Sequence, residues 1–209
     1  MTDKISTDQE RKIIENFALE IESRKEAGSK PEHAVIEFRN DRKIGKARPI
    51  YLVPIKLLRF RKDNGRIASD IASYEKMHGV LDEKLESTQD IIRDFLNEKD
   101  AENNIKLRKS IEHSGQNEPA IVTSDGFLIN GNRRKMTFDE LLRKKEDKKY
   151  ETMKVVILPG KGDEGGPPTI KEIEQIENRY QLQSDGKSEY TNFDRAISIQ
   201  RKIRAGMGL

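Results

Sequence analysis

The sequence predicts an α+β fold: a small mixed sheet with flanking helices, a helical N-terminal extension and a helical insertion. Three observations predict it. Short apolar, β-branched runs at 49–58, 120–123, 127–129 and 154–158 read as strands. Ser124-Asp125-Gly126 folds two of those runs into a hairpin, because glycine accepts the positive φ of a tight turn. Charged stretches with apolar residues at helical spacing fill the intervals between strands.

In chain order, residues 3–28 read as a helix with Ile13, Ile14, Phe17 and Ile21 on one face, Ser6 or Thr7 as cap and Gly28 as stop. Strands are expected at Ala34–Arg39 and Pro49–Leu58, the second placed at an edge or split by Pro54. Arg59–Arg66 follows as a basic loop, either a solvated hairpin tip or a wall for an anion. Residues 69–100 form a charged helical region in which Leu81, Leu85, Thr88, Ile92 and Phe95 make a packing stripe. Ile105–Ser114 is a further helix, with Ile105, Ile111 and Leu107 inward and Gly115 at its C-cap. After the hairpin, Asn130-Gly131-Asn132 breaks the strand. Arg133-Arg134 then open a helix whose inward face is Met136, Phe138, Leu141 and Leu142.

Lys154–Leu158 is a buried strand, and Pro159–Pro168 a glycine-rich loop without the spacing of a Walker A phosphate loop. Thr169 and Glu172 form a capping box for a helix with Ile170, Ile173, Ile176 and Tyr180 as its stripe. Ser184–Lys187 is a loop, and a last helix runs over about Thr191–Ala205. The organisation is thus an extension at 1–30, a core at 31–168 with the insertion at about 68–104, and C-terminal helices at 169–209.

Composition narrows the function classes. The chain of 209 residues is 33% hydrophobic and 37% charged. No apolar run is long enough to span a bilayer, and no signal-peptide pattern opens the chain. With no cysteine there is no disulfide, thiolate metal site or cysteine chemistry, which suits a cytoplasmic protein. The net charge of +3 does not describe a whole-surface nucleic-acid binder, although it leaves room for a local basic patch.

Chemistry concentrates at the strand-to-helix junction. A glycine there lets the backbone approach a ligand. The first N–H groups of a helix have no intrahelical partner, and the helix end carries roughly half a positive charge. Arg133 and Arg134 add forked donors suited to phosphate oxygens, so the junction reads as a phosphate cradle or as a helix start with two solvated arginines. Glu177-Asn178 reads as an adjacent acceptor pair for a hard cation shared with phosphate, or as an exposed pair on an amphipathic helix.

Three segments occur in order: SIEHSGQNEPAIV, INGNRRKMTF and IENRYQLQSDGKSEYTNFDRA. Together they resemble the N-terminal domain of ParB, the chromosome and plasmid segregation protein, and the wider ParB/sulfiredoxin superfamily, over roughly residues 48–200. The family pattern is a helix ending in glycine, Q-P-I-x-V, a hairpin, G-E-R-R-x-x-A, and later E-N-x-Q-R. Two departures stand out. Asn132 replaces the family's glutamate, which bears on hydrolysis more than binding, and the absence of cysteine excludes sulfiredoxin chemistry.

The resemblance implies a nucleotide site, with CTP favoured and ATP the alternative, together with Mg²⁺. Gly131, Asn132, Arg133 and Arg134 would hold the triphosphate, and Glu177 and Asn178 the Mg²⁺. Gly115 and Gln116 would line the nucleotide, with Arg59, Arg61 or Arg66 near the phosphates. It also implies a homodimer on or near DNA with slow NTP hydrolysis. No helix-turn-helix follows in the sequence, so the chain is read as a fragment, or as a member that binds DNA otherwise or not at all.

Three functions remain open on these grounds. One is a nucleotide-binding switch. A second is an enzyme of the same fold, a small-molecule kinase or a nuclease of a DNA-modification or defence system, with Glu177, Asp125 or Asp139 as base. The third is a non-enzymatic DNA-binding adaptor using the Arg59–Arg66 loop.

Overall fold

The structure is a computed structural model that describes residues 13–26, 32–99 and 101–183. Its sheet has five strands: β1 (His33–Ala34), β2 (Arg48–Pro54), β3 (Ala120–Val122), β4 (Leu128–Asn130) and β5 (Thr152–Ile157). They lie in the order β1-β2-β5-β3-β4. All neighbours are antiparallel except β3 and β5, so the sheet is mixed, as expected. The helices are α1 (Glu15–Glu26), α2 (Asp41–Ile44), α3 (Ala68–His78), α4 (Glu86–Glu98), α5 (Ala101–Ser114), α6 (Asn132–Lys145) and α7 (Ile170–Gln183).

Strand alternation divides the core into two layers. Side chains of successive strand residues point to opposite faces. Met153, Val155 and Ile157 therefore face one side of β5, where they join Ala120, Val122 and Leu128. The larger cluster forms there, closed by Ile21 of α1, Ile71 of α3, Ile92 and Leu96 of α4, Ile111 of α5, and Met136, Phe138 and Leu141 of α6. On the other face, Ile121, Ile129 and Val156 meet Ile173 and Ile176 of α7 and the side chains of Ile36 and Phe38. The sheet is thus sandwiched between helices. The N-terminal extension is part of the body: Ile21 is fully buried, and the Ile14 N–H donates to Asp125 Oδ2 at 3.1 Å.

Several elements differ from the sequence expectation. The strand expected over 34–39 pairs only at His33–Ala34, yet Ile36 and Phe38 stay buried as the chain turns through Arg39 (φ +49) into α2. Pro54 splits its strand as predicted: β2 ends there and a 3-10 turn, Ile55–Leu57, continues. The region 69–100 is two helices. Gly79 (φ +92) ends α3, which breaks the stripe: Leu81 is buried in the connection while Leu85 is exposed. Ile105, expected inward on α5, is also exposed, whereas Ile111 is buried.

Of the two readings of the basic loop after β2, the solvated tip is the one the structure excludes. Phe60, Arg61 and Asn64 are buried, so the loop is no solvated tip. The Gln89 side chain accepts from the Phe60 N–H at 2.7 Å and donates to its carbonyl at 3.0 Å, and Glu83 accepts from the Lys62 N–H at 2.6 Å. The insertion thus covers the loop it follows.

The capping box forms as predicted. The Glu172 N–H donates to Thr169 Oγ1 at 3.2 Å, and the Thr169 N–H donates to Glu172 Oε2 at 2.9 Å. Thr169→Ala should lower stability by about 1 kcal/mol, read as a melting temperature about 2–4 °C lower. Arg39 also donates to Glu172 Oε1 at 2.7 Å, and an unchanged thermal unfolding curve would show that this pair holds the helix end without the threonine cap. The caps at Ser6, Thr7 and Gly28, the loop at Ser184–Lys187 and the helix at Thr191–Ala205 lie outside the described residues.

Candidate phosphate site

β4 delivers the chain to Gly131, whose φ of +101 turns it directly into α6. A Cβ at this position would lie 2.6 Å from the Ala120 Cβ, so only glycine lets the junction close onto β3. The first turn of α6 then opens on a cavity of about 140 Å³, lined by Gly131, Asn132, Arg133 and Arg134. Arg66 and Asn64 from the loop after β2, Lys99 from the end of α4, and Glu177 and Tyr180 from α7 also line it, with Leu96, Leu107, Ile129 and Asn130. Four cations and one carboxylate therefore line a cavity at a helix N-terminus, with Lys99 paired to Asp70 at 3.1 Å, and the positive excess favours an anion.

The electrostatics of individual groups agree. Arg134 donates to Glu118 Oε2 at 3.0 Å and to the Pro119 carbonyl at 3.2 Å. Burial holds its pKa below the ordinary arginine value. The carboxylate of Glu118 opposes that shift and the neighbouring charge of Arg133 adds to it. A guanidinium so placed gains from a bound anion. Glu177 is buried and faces Arg61 at 3.6 Å, and it also accepts from the Gly65 N–H at 3.4 Å. Burial pushes its carboxyl pKa up, with the Arg61 charge opposing. Burial likewise raises the Tyr180 phenol, whose oxygen accepts from the Glu37 N–H at 3.4 Å.

A second cavity, of about 490 Å³, adjoins the first and shares Asn130, Arg134 and Tyr180 with it. Its other walls are Ala34–Glu37 and Glu118–Pro119 with Ile121.

The remaining sequence-predicted residues are placed elsewhere. Arg59 pairs with Glu86 at 2.6 Å and lies over the Phe17 ring at 4.6 Å. It lines a third cavity, of about 640 Å³, between α4, α5 and α6. Arg61 lies behind the cavity at the start of α6, against Glu177. Gly115 ends α5 with φ +71 and an open surround, outside the lining. Gln116 bonds the main chain of Lys154 in both directions, at 2.8 Å each, and so ties the approach to β3 onto β5. Asn178 is half-buried and also outside the lining.

Of the candidate bases, Asp125 accepts from the Thr123 hydroxyl and the Ile14 N–H within the hairpin. Asp139 pairs with Lys135 at 2.6 Å. Among the described residues, no three His, Asp or Glu side chains gather as a metal cluster.

Lys99 and Asn64 line the cavity without having been singled out in the sequence. Neither carries a local signal: Lys99 belongs to the insertion, and Asn64 sits in a turn where its side chain accepts from the Arg66 N–H at 3.0 Å. Tyr180 is legible only as part of the α7 stripe.

Comparison with protein-family models, with curated proteins and with solved structures finds no match for the chain.

Proposed function

We propose that the chain is a ParB-like nucleotide-binding switch, taking a nucleoside triphosphate with Mg²⁺, CTP favoured and ATP the alternative. One observation carries the reading: Gly131–Arg134, Arg66 and Lys99 converge on a single cavity at a helix N-terminus. At about 140 Å³ the cavity suits phosphate rather than a whole nucleotide, since small-molecule sites begin near roughly 300 Å³. The adjoining cavity of about 490 Å³ has room for a nucleoside, and Arg134 stands at the boundary of the two. Glu177 would hold Mg²⁺ together with phosphate oxygens, an ion usually bound through one or two carboxylates and its substrate's phosphates. That role requires Arg61 to release Glu177, and an incoming phosphate offers Arg61 a replacement partner. The motif resemblance extends the proposal to a homodimer working on or near DNA, with slow hydrolysis.

Calorimetric titration with CTP, ATP, GTP and UTP, with and without Mg²⁺, tests it. The expected result is micromolar, Mg²⁺-dependent binding of one of them, weakened roughly 10–100-fold by Arg133→Ala through loss of a charge-assisted contact. Absence of binding by all four, or unchanged affinity in Arg133→Ala, would overturn the assignment.

A further inference from the structure

The segment Arg143–Lys149 reads RKKEDKK, five basic residues against two acidic. Its net +3 is as large as that of the entire chain, and its five basic residues, unlike the buried Arg61 of the basic loop at 59–66, are all exposed. The structure enlarges that basic segment. Arg108 of α5 pairs with Glu140 of α6 at 2.6 Å, and Glu112 pairs with Lys145 at 2.9 Å. The two helices therefore run side by side in the same direction, with their C-terminal ends together. Lys109 stands one helical turn before Glu112, and Lys106 one turn before that. Lys106, Lys109 and every basic residue of 143–149 are exposed.

We propose that this α5–α6 end surface binds the phosphate backbone of duplex nucleic acid without reading its sequence. Complementing two helix dipoles accounts for only part of the charge. Basic residues serve that purpose in the last turn, which here means His113 on α5 and Arg143–Lys145 on α6. Lys148 and Lys149 lie beyond α6 in a 3-10 turn, and Lys106 lies in the interior of α5. The pairs Lys144–Glu140 and Lys149–Asp147 are surface pairs that a polyanion can displace. A bilayer is the poorer partner. Among the exposed large hydrophobic side chains of the described residues, Ile105 beside Lys106 is the one on α5 or α6, and a single such side chain is not the apolar face of a membrane-seated helix.

The surface shares no residue with the cavity at the start of α6, so triphosphate binding and duplex binding fail separately. The test is fluorescence anisotropy of the full chain with short labelled DNA duplexes of unrelated sequence, without nucleotide, over a range of salt. We expect equal affinity for the different sequences. Log affinity should fall with log salt at a slope of about −3 to −5, at roughly 0.9 per phosphate neutralised. The double variant Arg143→Glu, Lys148→Glu should bind at least about tenfold more weakly with a slope shallower by about 2. Its thermal unfolding and triphosphate affinity should match the parent. Two results would overturn the proposal: no duplex binding at low salt, or a charge-reversed variant that binds as the parent does. Binding to phosphatidylserine vesicles, lost in the same variant while duplex binding is absent, would assign the surface to membranes instead.

Discussion

Arg61→Ala is expected to destabilise the chain by about 3–5 kcal/mol at neutral pH, the range for removing one partner of a buried ion pair. Arg61 and Glu177 expose 8% and 7% of their side chains and stand 3.6 Å apart. Without the guanidinium, the carboxylate remains buried with its main counter-charge gone. The deficit should depend on pH in one direction. Burial already holds the Glu177 pKa above its unfolded value, and losing Arg61 raises it further. A carboxyl of this kind binds its proton more tightly when folded. Its favourable contribution is full below the unfolded value, about 4.3, and is lost as pH rises through the folded one. The variant should therefore recover much of its stability in mild acid. Urea unfolding of both proteins at neutral and mildly acid pH measures this. A deficit that is constant, or grows in acid, would show that Arg61 acts by packing rather than by charge.

Gly131→Ala should lower stability by about 2–4 kcal/mol, from backbone strain at φ +101 together with overpacking against Ala120. For a chain of this size that is a fall of about 5–15 °C in melting temperature. The same change displaces the first turn of α6, so triphosphate affinity should fall with it. Gly126→Ala is the control. Its φ is +84, and a Cβ there would lie 2.5 Å from the Leu57 carbonyl oxygen, but it does not line the phosphate cavity. Its loss of stability should be comparable and its affinity at 25 °C retained. Retained affinity in Gly131→Ala would show that the helix start does not set the binding geometry.

The parts of this fold legible in the sequence are those written in local chemistry. The hairpin at Ser124–Gly126, the glycine junction before α6, the Thr169–Glu172 box and the split at Pro54 each depend on residues a few positions apart. The parts that were not legible depend on distant partners. Nothing within Arg59–Arg66 announces that Gln89 will take both main-chain groups of Phe60, or that Glu177 will lie against Arg61. A basic loop flanked by strands looks the same whether solvent or an insertion covers it. Leu85 and Ile105 mislead for the opposite reason, since both fit a helical stripe that ends where α3 and α4 separate or where α5 faces the large cavity. At the site, the cradle itself was readable from Gly131 to Arg134. Gln116 was not, because its amide serves the main chain of Lys154 across the sheet.

The strand order bears on how the chain is made. Among the described residues β5 is the last strand to be translated, yet it lies between β2 and β3 and joins them. Its partners on β2, such as Tyr51 opposite Val155, lie about a hundred residues upstream. At about 5–20 residues per second on the ribosome, the inner edge of β2 waits roughly 5–20 s for its partner. An open edge of that kind is a template for pairing with a neighbouring nascent chain. The charge of Arg48 at its start, that of Lys56 in the 3-10 turn just past its end, and the missing donors of Pro49 and Pro54 are the features that discourage such pairing until residue 157 emerges.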